Sequence, residues 1–223
     1  MNELPLAAAA LGEQFALYLS ALSNNIEPAQ ARLLWQDIAA QYGATQRAYH
    51  DLNHLRQLFV QFEQVKHDLH APSIIALALY YHDVIYEPSR SDNELRSAEY
   101  AFAALRPYLR LPQCQHVYAL IMMTATHQLG ELSDPDKVSD TAYMLDMDLS
   151  ILGTPWHEYQ QYAQAVRQEY HQVPLADYRL GRTQVLTALL SRSRLYLTDY
   201  YYQRLEIQAR DNIKREISLL LNL

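Results

Sequence analysis

The sequence predicts an all-α protein, a single-domain helical bundle, and three observations carry that prediction. Apolar residues recur at three- and four-residue spacing along almost the whole chain. Only 5 of the 223 residues are glycine, while the helix-favouring Ala, Leu, Gln and Arg are abundant. Strict two-residue alternation is nowhere sustained, so no sheet is expected. The length suits one domain, or at most two small ones, and can bury a core without disulfides.

Each element follows from its own signals. Leu11, Phe15, Tyr18 and Leu22 share one helical face. Pro28 suits a first turn, and Gly43 a stop, for a helix through Trp35 and Ile38. Leu52, Leu55, Phe59 and Phe62 mark the next helix. Pro72 opens a nearly continuous apolar run over 74–81, read as a buried helix. Ser91-Asp92-Asn93-Glu94 has capping-box spacing ahead of a helix through Tyr100 and Leu105. Pro112 leads a helix reaching His127, and the polar stretch 128–138 reads as a loop. A helix over 139–152 ends at Gly153, and Pro155 starts another that runs to about His171. Pro174 and Gly181 bracket a connector before helices at roughly 182–192 and 198–222. About nine or ten helices are expected in all, with no repeat and no low-complexity linker between them.

Composition narrows the function. The charged fraction is 19% and the hydrophobic fraction 50%, a globular balance. Eighteen Lys and Arg against 25 Asp and Glu give a formal charge of −7, which argues against polymeric nucleic acid and a basic membrane-surface role. The single cysteine, Cys114, excludes an internal disulfide framework and a Cys-rich zinc site. No Gly-rich phosphate loop is present. The N-terminus lacks a basic signal region, and no run of about 18 apolar residues exists, so a soluble cytoplasmic protein is expected.

The residues with chemical consequence stand where a core should be apolar. His82-Asp83 closes the run IIALALYY. Burying a carboxylate costs several kcal/mol unless it is paired or bound to metal. Imidazole and carboxylate together suit Zn, Fe, Mn or Ni. His50 and His54 lie one turn apart in a helical reading. The apolar centre set by Leu52, Leu55, Leu58, Phe59, Phe62 and Val65 falls nearest His54, which makes His54 the inward ligand and His50 a supporting or substrate residue. In LDMDLSILG, Asp146 and Asp148 lie about 200° apart on a helix. Asp148 sits amid Met144, Leu145, Leu149, Ile151 and Leu152 and is the ligand candidate, while Asp146 points away as a cap, surface or supporting group.

Together these residues form an H…HD…D series, and at this point the sequence resembles the HD superfamily of metal-dependent phosphohydrolases. The 28-residue step from His54 to His82 and the downstream Asp fit that pattern. RAYHDLNHL, YYHDVIYEP, SDNELRSA and LDMDLSILG resemble more closely a bacterial subfamily of predicted HD hydrolases, over most of the chain from Arg47 onward. The resemblance implies one HD-type domain over 1–223, its core at about 45–155 with flanking helices at both ends. It implies one divalent cation (Mn, Mg, Fe, Co, Ni or Zn) held by His54, His82, Asp83 and Asp148. Asp83 would orient the attacking water, with Glu94 or Glu87 as general base. His50, His127, Arg47 and Lys66 would bind the substrate, a small phosphorylated metabolite or nucleotide. A homodimer is compatible with this reading, although no dimer motif is visible.

Other readings stay open at this point. A di-iron oxygenase of the same fold would need further ligands such as His127. A metal-stabilised regulatory protein without turnover, or a helical interaction domain without metal, would use the same helices. Glu94 is explained by the capping box alone, and His127 by a helix C-terminus. His67, His70, His116, His157 and His171 read as surface or packing residues. Tyr159, Tyr162, Tyr170, Tyr196, Tyr200, Tyr201 and Tyr202 read as packing, or as a wall for a nucleobase. Arg182, Arg192, Arg194, Arg204 and Arg210 read mostly as a solvated face.

Overall fold

The structure, a computed structural model, describes residues 3–23 and 25–222, with side chains from residue 7 onward. Among these residues there are ten α-helices, two 3-10 segments and no strand. The all-α class is as the sequence predicts. The chain forms two compact units, Met1–Met144 and Leu145–Leu223. No helix among the described residues is long and apolar enough to cross a membrane.

The first unit holds α1 (Glu3–Leu22), α2 (Pro28–Tyr42), α3 (Leu52–Val65), α4 (Pro72–Tyr81), α5 (Asn93–Leu105), α6 (Leu111–Thr124) and most of α7 (Pro135–Asp148). Its centre is α4, whose residues from Ile74 to Tyr81 are all buried. Each large aliphatic side chain there contributes about 1.5–3 kcal/mol by leaving water. α1, α3, α5 and α6 surround it. Tyr80 packs edge-on to Phe15 at 5.1 Å and against Phe59 at 4.3 Å, and its hydroxyl donates to the Leu11 carbonyl at 2.7 Å. Gly12 is required for close approach, since a Cβ there would stand 2.5 Å from the Trp35 ring. The N-terminus of α4 is capped from α7, where the Asp140 carboxylate accepts the N–H groups of His70 and Ala71, both at 2.8 Å.

The second unit follows the end of α7 with a 3-10 segment, Leu149–Gly153, then α8 (Trp156–Glu169), α9 (Leu175–Leu190) and α10 (Asp199–Leu221). Its interior is fastened by charged groups. Glu206 on α10 accepts the N–H groups of Leu195 and Tyr196 and pairs with Arg210 at 2.6 Å. Arg210 in turn donates to the carbonyls of Leu190 and Arg192. Glu216 is gripped by both forks of Arg182, at 2.8 and 3.1 Å, and accepts the Tyr159 hydroxyl at 2.5 Å. Arg182 and Arg210 are therefore interior fasteners, not members of a solvated face. Tyr159 and Tyr196 are buried packing residues.

Four boundaries differ from the sequence expectation. α5 forms without the Ser91 capping box. Asp92 occupies the N-cap position with no side-chain cap bond, its carboxylate held by Arg90 and Arg96. Those partners, Arg90 first, keep the Asp92 carboxyl well below its usual range. α6 stops at Thr124, three residues before His127, which takes a left-handed φ of 48°. α7 begins at Pro135 inside the expected loop. Gly181 lies in the middle of α9, not in a connector.

Candidate metal centre

The site is built from helix ends. Asp51 caps α3, accepting the N–H groups of Asn53 at 2.8 Å and His54 at 3.1 Å. That fixes His54 in the first turn, 3% exposed. His82 is the C-cap residue of α4 and is 1% exposed. Its Nδ1–H donates to the Leu79 carbonyl at 2.8 Å. A carbonyl only accepts, so this bond leaves the lone pair of a neutral His82 on Nε2.

The Nε2 atoms of His54 and His82 stand 3.4 Å apart. The Asp83 Oδ2 atom lies 3.1 Å from His82 Nε2 and 3.9 Å from His54 Nε2. Asp148 is half-buried at the end of α7. Two nitrogens each about 2.1 Å from one ion lie roughly 3.0–3.4 Å apart at tetrahedral or octahedral angles, which matches the His54–His82 spacing. Two imidazole nitrogens and a carboxylate oxygen converge here, a set that one divalent cation would hold together. The bond from His82 Nδ1 to a backbone carbonyl is the support that metal-bound imidazoles use. The residues fit a divalent cation of borderline character, held by nitrogen and oxygen.

Around the ligands, the Asp83 N–H donates to the Tyr42 hydroxyl at 3.3 Å. Burial pushes that hydroxyl up to about 12, so it stays protonated. Asn93 ties down the loop after the doublet, accepting the Glu87 N–H and donating to the Glu87 carbonyl. His50 is half-buried and stacks on Tyr86 at 4.0 Å, with His54 at 5.9 Å on its other side.

No family model, curated protein or solved structure matches the chain.

The structure brings His54 and His82 together, with Asp83 against both imidazoles. Other expectations change. His50 lies in the turn before α3, not on its face, although it remains beside His54. Lys66 is twelve residues along from His54, about 18 Å at helical rise, and its ammonium pairs with Glu63, so it stands away from the ligands. Glu87 is exposed and accepts from the Ser89 hydroxyl. Neither Glu87 nor Glu94 is in the ligand group. His127 is half-buried in the turn after α6. Arg47 is buried and directs its guanidinium at backbone carbonyls, not at an open phosphate site.

The two aspartates of LDMDLSILG reverse the helical-wheel expectation for burial. Asp146 is the buried one, at 1% exposure. Its carboxylate accepts the Leu197 N–H at 2.7 Å, the Thr198 N–H at 2.8 Å and the Thr198 hydroxyl at 2.6 Å. Burial outweighs these bonds and raises its pKa to about 6. The donors come from about fifty residues further along the chain, which a local wheel cannot register. Asp148 is the half-buried one.

Proposed function

We propose that this chain is a metal-dependent phosphohydrolase of the HD type, acting on a phosphate ester of a nucleotide or another small metabolite. The observation that carries this reading is the 3.4 Å approach of the His54 and His82 Nε2 atoms, with Asp83 beside both histidines. In this reading these residues and the Asp148 of the sequence pattern hold one divalent cation. A cation held there supplies Lewis-acid polarisation of a phosphoryl oxygen and a bound water of lowered pKa. Asp83, partly exposed, orients the attacking water; the water oxygen bonds to phosphorus and loses a proton to solvent, while the bond from phosphorus to the ester oxygen breaks and that oxygen takes up a proton from solvent. His50 faces the same region from its stack on Tyr86 and donates an N–H to a phosphate oxygen. The Leu79 carbonyl keeps His82 in the tautomer a ligand requires.

The test is elemental analysis of protein purified without chelator, beside Asp148→Ala, followed by a phosphate-ester screen with the metal found. The expected result is about one divalent ion per chain, lost in the variant, with phosphate release that disappears alongside it. Absence of metal in both proteins after reloading with Mn, Mg, Co, Ni and Fe would overturn the reading.

A further inference from the structure

Arg47 is buried, at 8% exposure, and lies outside every helix. Its Nη1 donates to the His50 carbonyl at 3.0 Å and to the Asp83 carbonyl at 2.7 Å. Its Nη2 donates to the Val84 carbonyl at 2.9 Å. The guanidinium also lies 5.0 Å from the Tyr42 ring centroid and 5.7 Å from that of Tyr86. Tyr86 in turn stacks on His50, and the Tyr42 hydroxyl receives the Asp83 N–H.

These contacts have a common geometry. His50 immediately precedes Asp51, the cap that sets the first turn of α3 and hence His54. Asp83 and Val84 immediately follow His82 at the end of α4. One planar fork therefore joins the turn that opens α3 to the turn that closes α4, the latter 36 residues from Arg47 in the chain. Burying a guanidinium is costly unless its donors are met. Here Nη1 and Nη2 are spent on backbone carbonyls beside candidate ligands, while the buried Nε has no hydrogen-bond partner. Such an arrangement fixes the separation of two imidazoles rather than recognising a substrate.

We propose that Arg47 is the positioning residue of the metal centre: its fork holds the His54 and His82–Asp83 turns in register, and Tyr42 and Tyr86 hold that fork in place. The proposal rests on the metal reading given above. Arginine is required because its rigid plane serves several acceptors at fixed angles. Lysine keeps the charge but offers a single ammonium on a flexible stem.

The test uses the full chain stripped of metal and titrated with Co(II), followed through the visible ligand-field bands, for the wild type, Arg47→Lys and Tyr86→Leu. Circular dichroism checks that each variant is folded. The wild type is expected to bind Co(II) with nitrogen-rich bands. Folded Arg47→Lys is expected to bind roughly tenfold to a hundredfold more weakly, the range for residues that orient ligands, with displaced bands. Tyr86→Leu leaves the guanidinium hydrogen bonds but removes one ring, and is expected to weaken binding about twofold to fivefold. An Arg47→Lys protein with wild-type affinity and bands overturns the role of Arg47 while leaving the metal site intact. If Arg47→Lys does not fold, Tyr86→Leu decides, and wild-type Co(II) affinity and bands in that variant overturn the proposal. A wild-type chain that takes up no Co(II) sinks the metal reading, and this proposal with it.

Discussion

Glu206, Glu216 and Asp146 lie in the interior of the second unit, and each carboxylate meets donors. Glu206 has two backbone N–H groups and Arg210; Glu216 has Arg182 and Tyr159; Asp146 has Thr198 and the Leu197 N–H. In the first unit the buried histidines do the opposite. His54 and His82 turn Nε2 toward each other and toward a carboxylate oxygen of Asp83. One region joins anions to donors. The other gathers imidazole nitrogens and a carboxylate oxygen at helix ends, the ligand types that hold a divalent cation. The difference lies in what meets each buried polar group, although burial alone makes them look alike.

The largest effect that would break this comparison is expected at Glu216. Glu216→Ala strands Arg182, whose side chain is 11% exposed, and removes the acceptor for the Tyr159 hydroxyl. Removing one partner of a buried pair costs about 3–5 kcal/mol, read as a shift in the urea midpoint. The folded fraction of the variant should still take up metal at the wild-type stoichiometry. A loss below about 1 kcal/mol, the range of an exposed pair, would mean that the second unit's ion pairs do not fasten it.

The two kinds of site were unequally legible in the sequence. The helices were legible because their apolar faces repeat locally, and His54 was legible because Leu55, Leu58 and Phe62 place the core on its side of α3. His82-Asp83 stood out because charge follows a largely apolar run with no other charged group. The fasteners of the second unit were not legible. Arg182 meets Glu216 across 34 residues and Asp146 meets Thr198 across 52, so Arg182 read as part of a solvated face and Asp146 as a cap, surface or supporting group. The early end of α6 was hidden because Ala125 and Thr126 carry no stop signal, and the turn is made by His127 in a conformation that favours glycine. The support from Arg47 was hidden because its partners are backbone carbonyls, which leave no trace in side-chain pattern.

A smaller effect sharpens the comparison within the first unit. His116 on α6 has a buried Nε2 with no hydrogen-bond partner. Burial, and then the nearby Lys137, hold its pKa below the ordinary 6.5. The unfolded chain therefore takes up a proton near pH 6.5 that the native state resists. This group contributes no penalty above that pH, and stability falls as pH drops below it, down to the lowered native value. Denaturant midpoints measured from pH 8 to pH 5 should decline for the wild type, and His116→Gln should flatten the part of the slope that begins near 6.5. An unchanged slope would place the acid sensitivity elsewhere. Metal release would separate from this effect, because it should follow added chelator at constant pH.

The smallest expected effect concerns a residue that neither fastens nor binds. Gly181 sits in the interior of α9, and a Cβ built there meets no atom within 4 Å. Gly153 is its counterexample, since a Cβ there would stand 2.5 Å from Leu205. Glycine in a helix interior gives up more backbone freedom on folding than alanine does, at a cost of roughly 0.5–1 kcal/mol. With open space around the site, Gly181→Ala should stabilise the chain by about that amount through the unfolded state. The midpoint of urea unfolding should rise while its slope stays constant and metal stoichiometry is unchanged. A destabilised Gly181→Ala would show that α9 bends or closes against something at that position. The flank of the second unit would then be a working surface, and the division between a region that only holds and a region that binds would have to be redrawn.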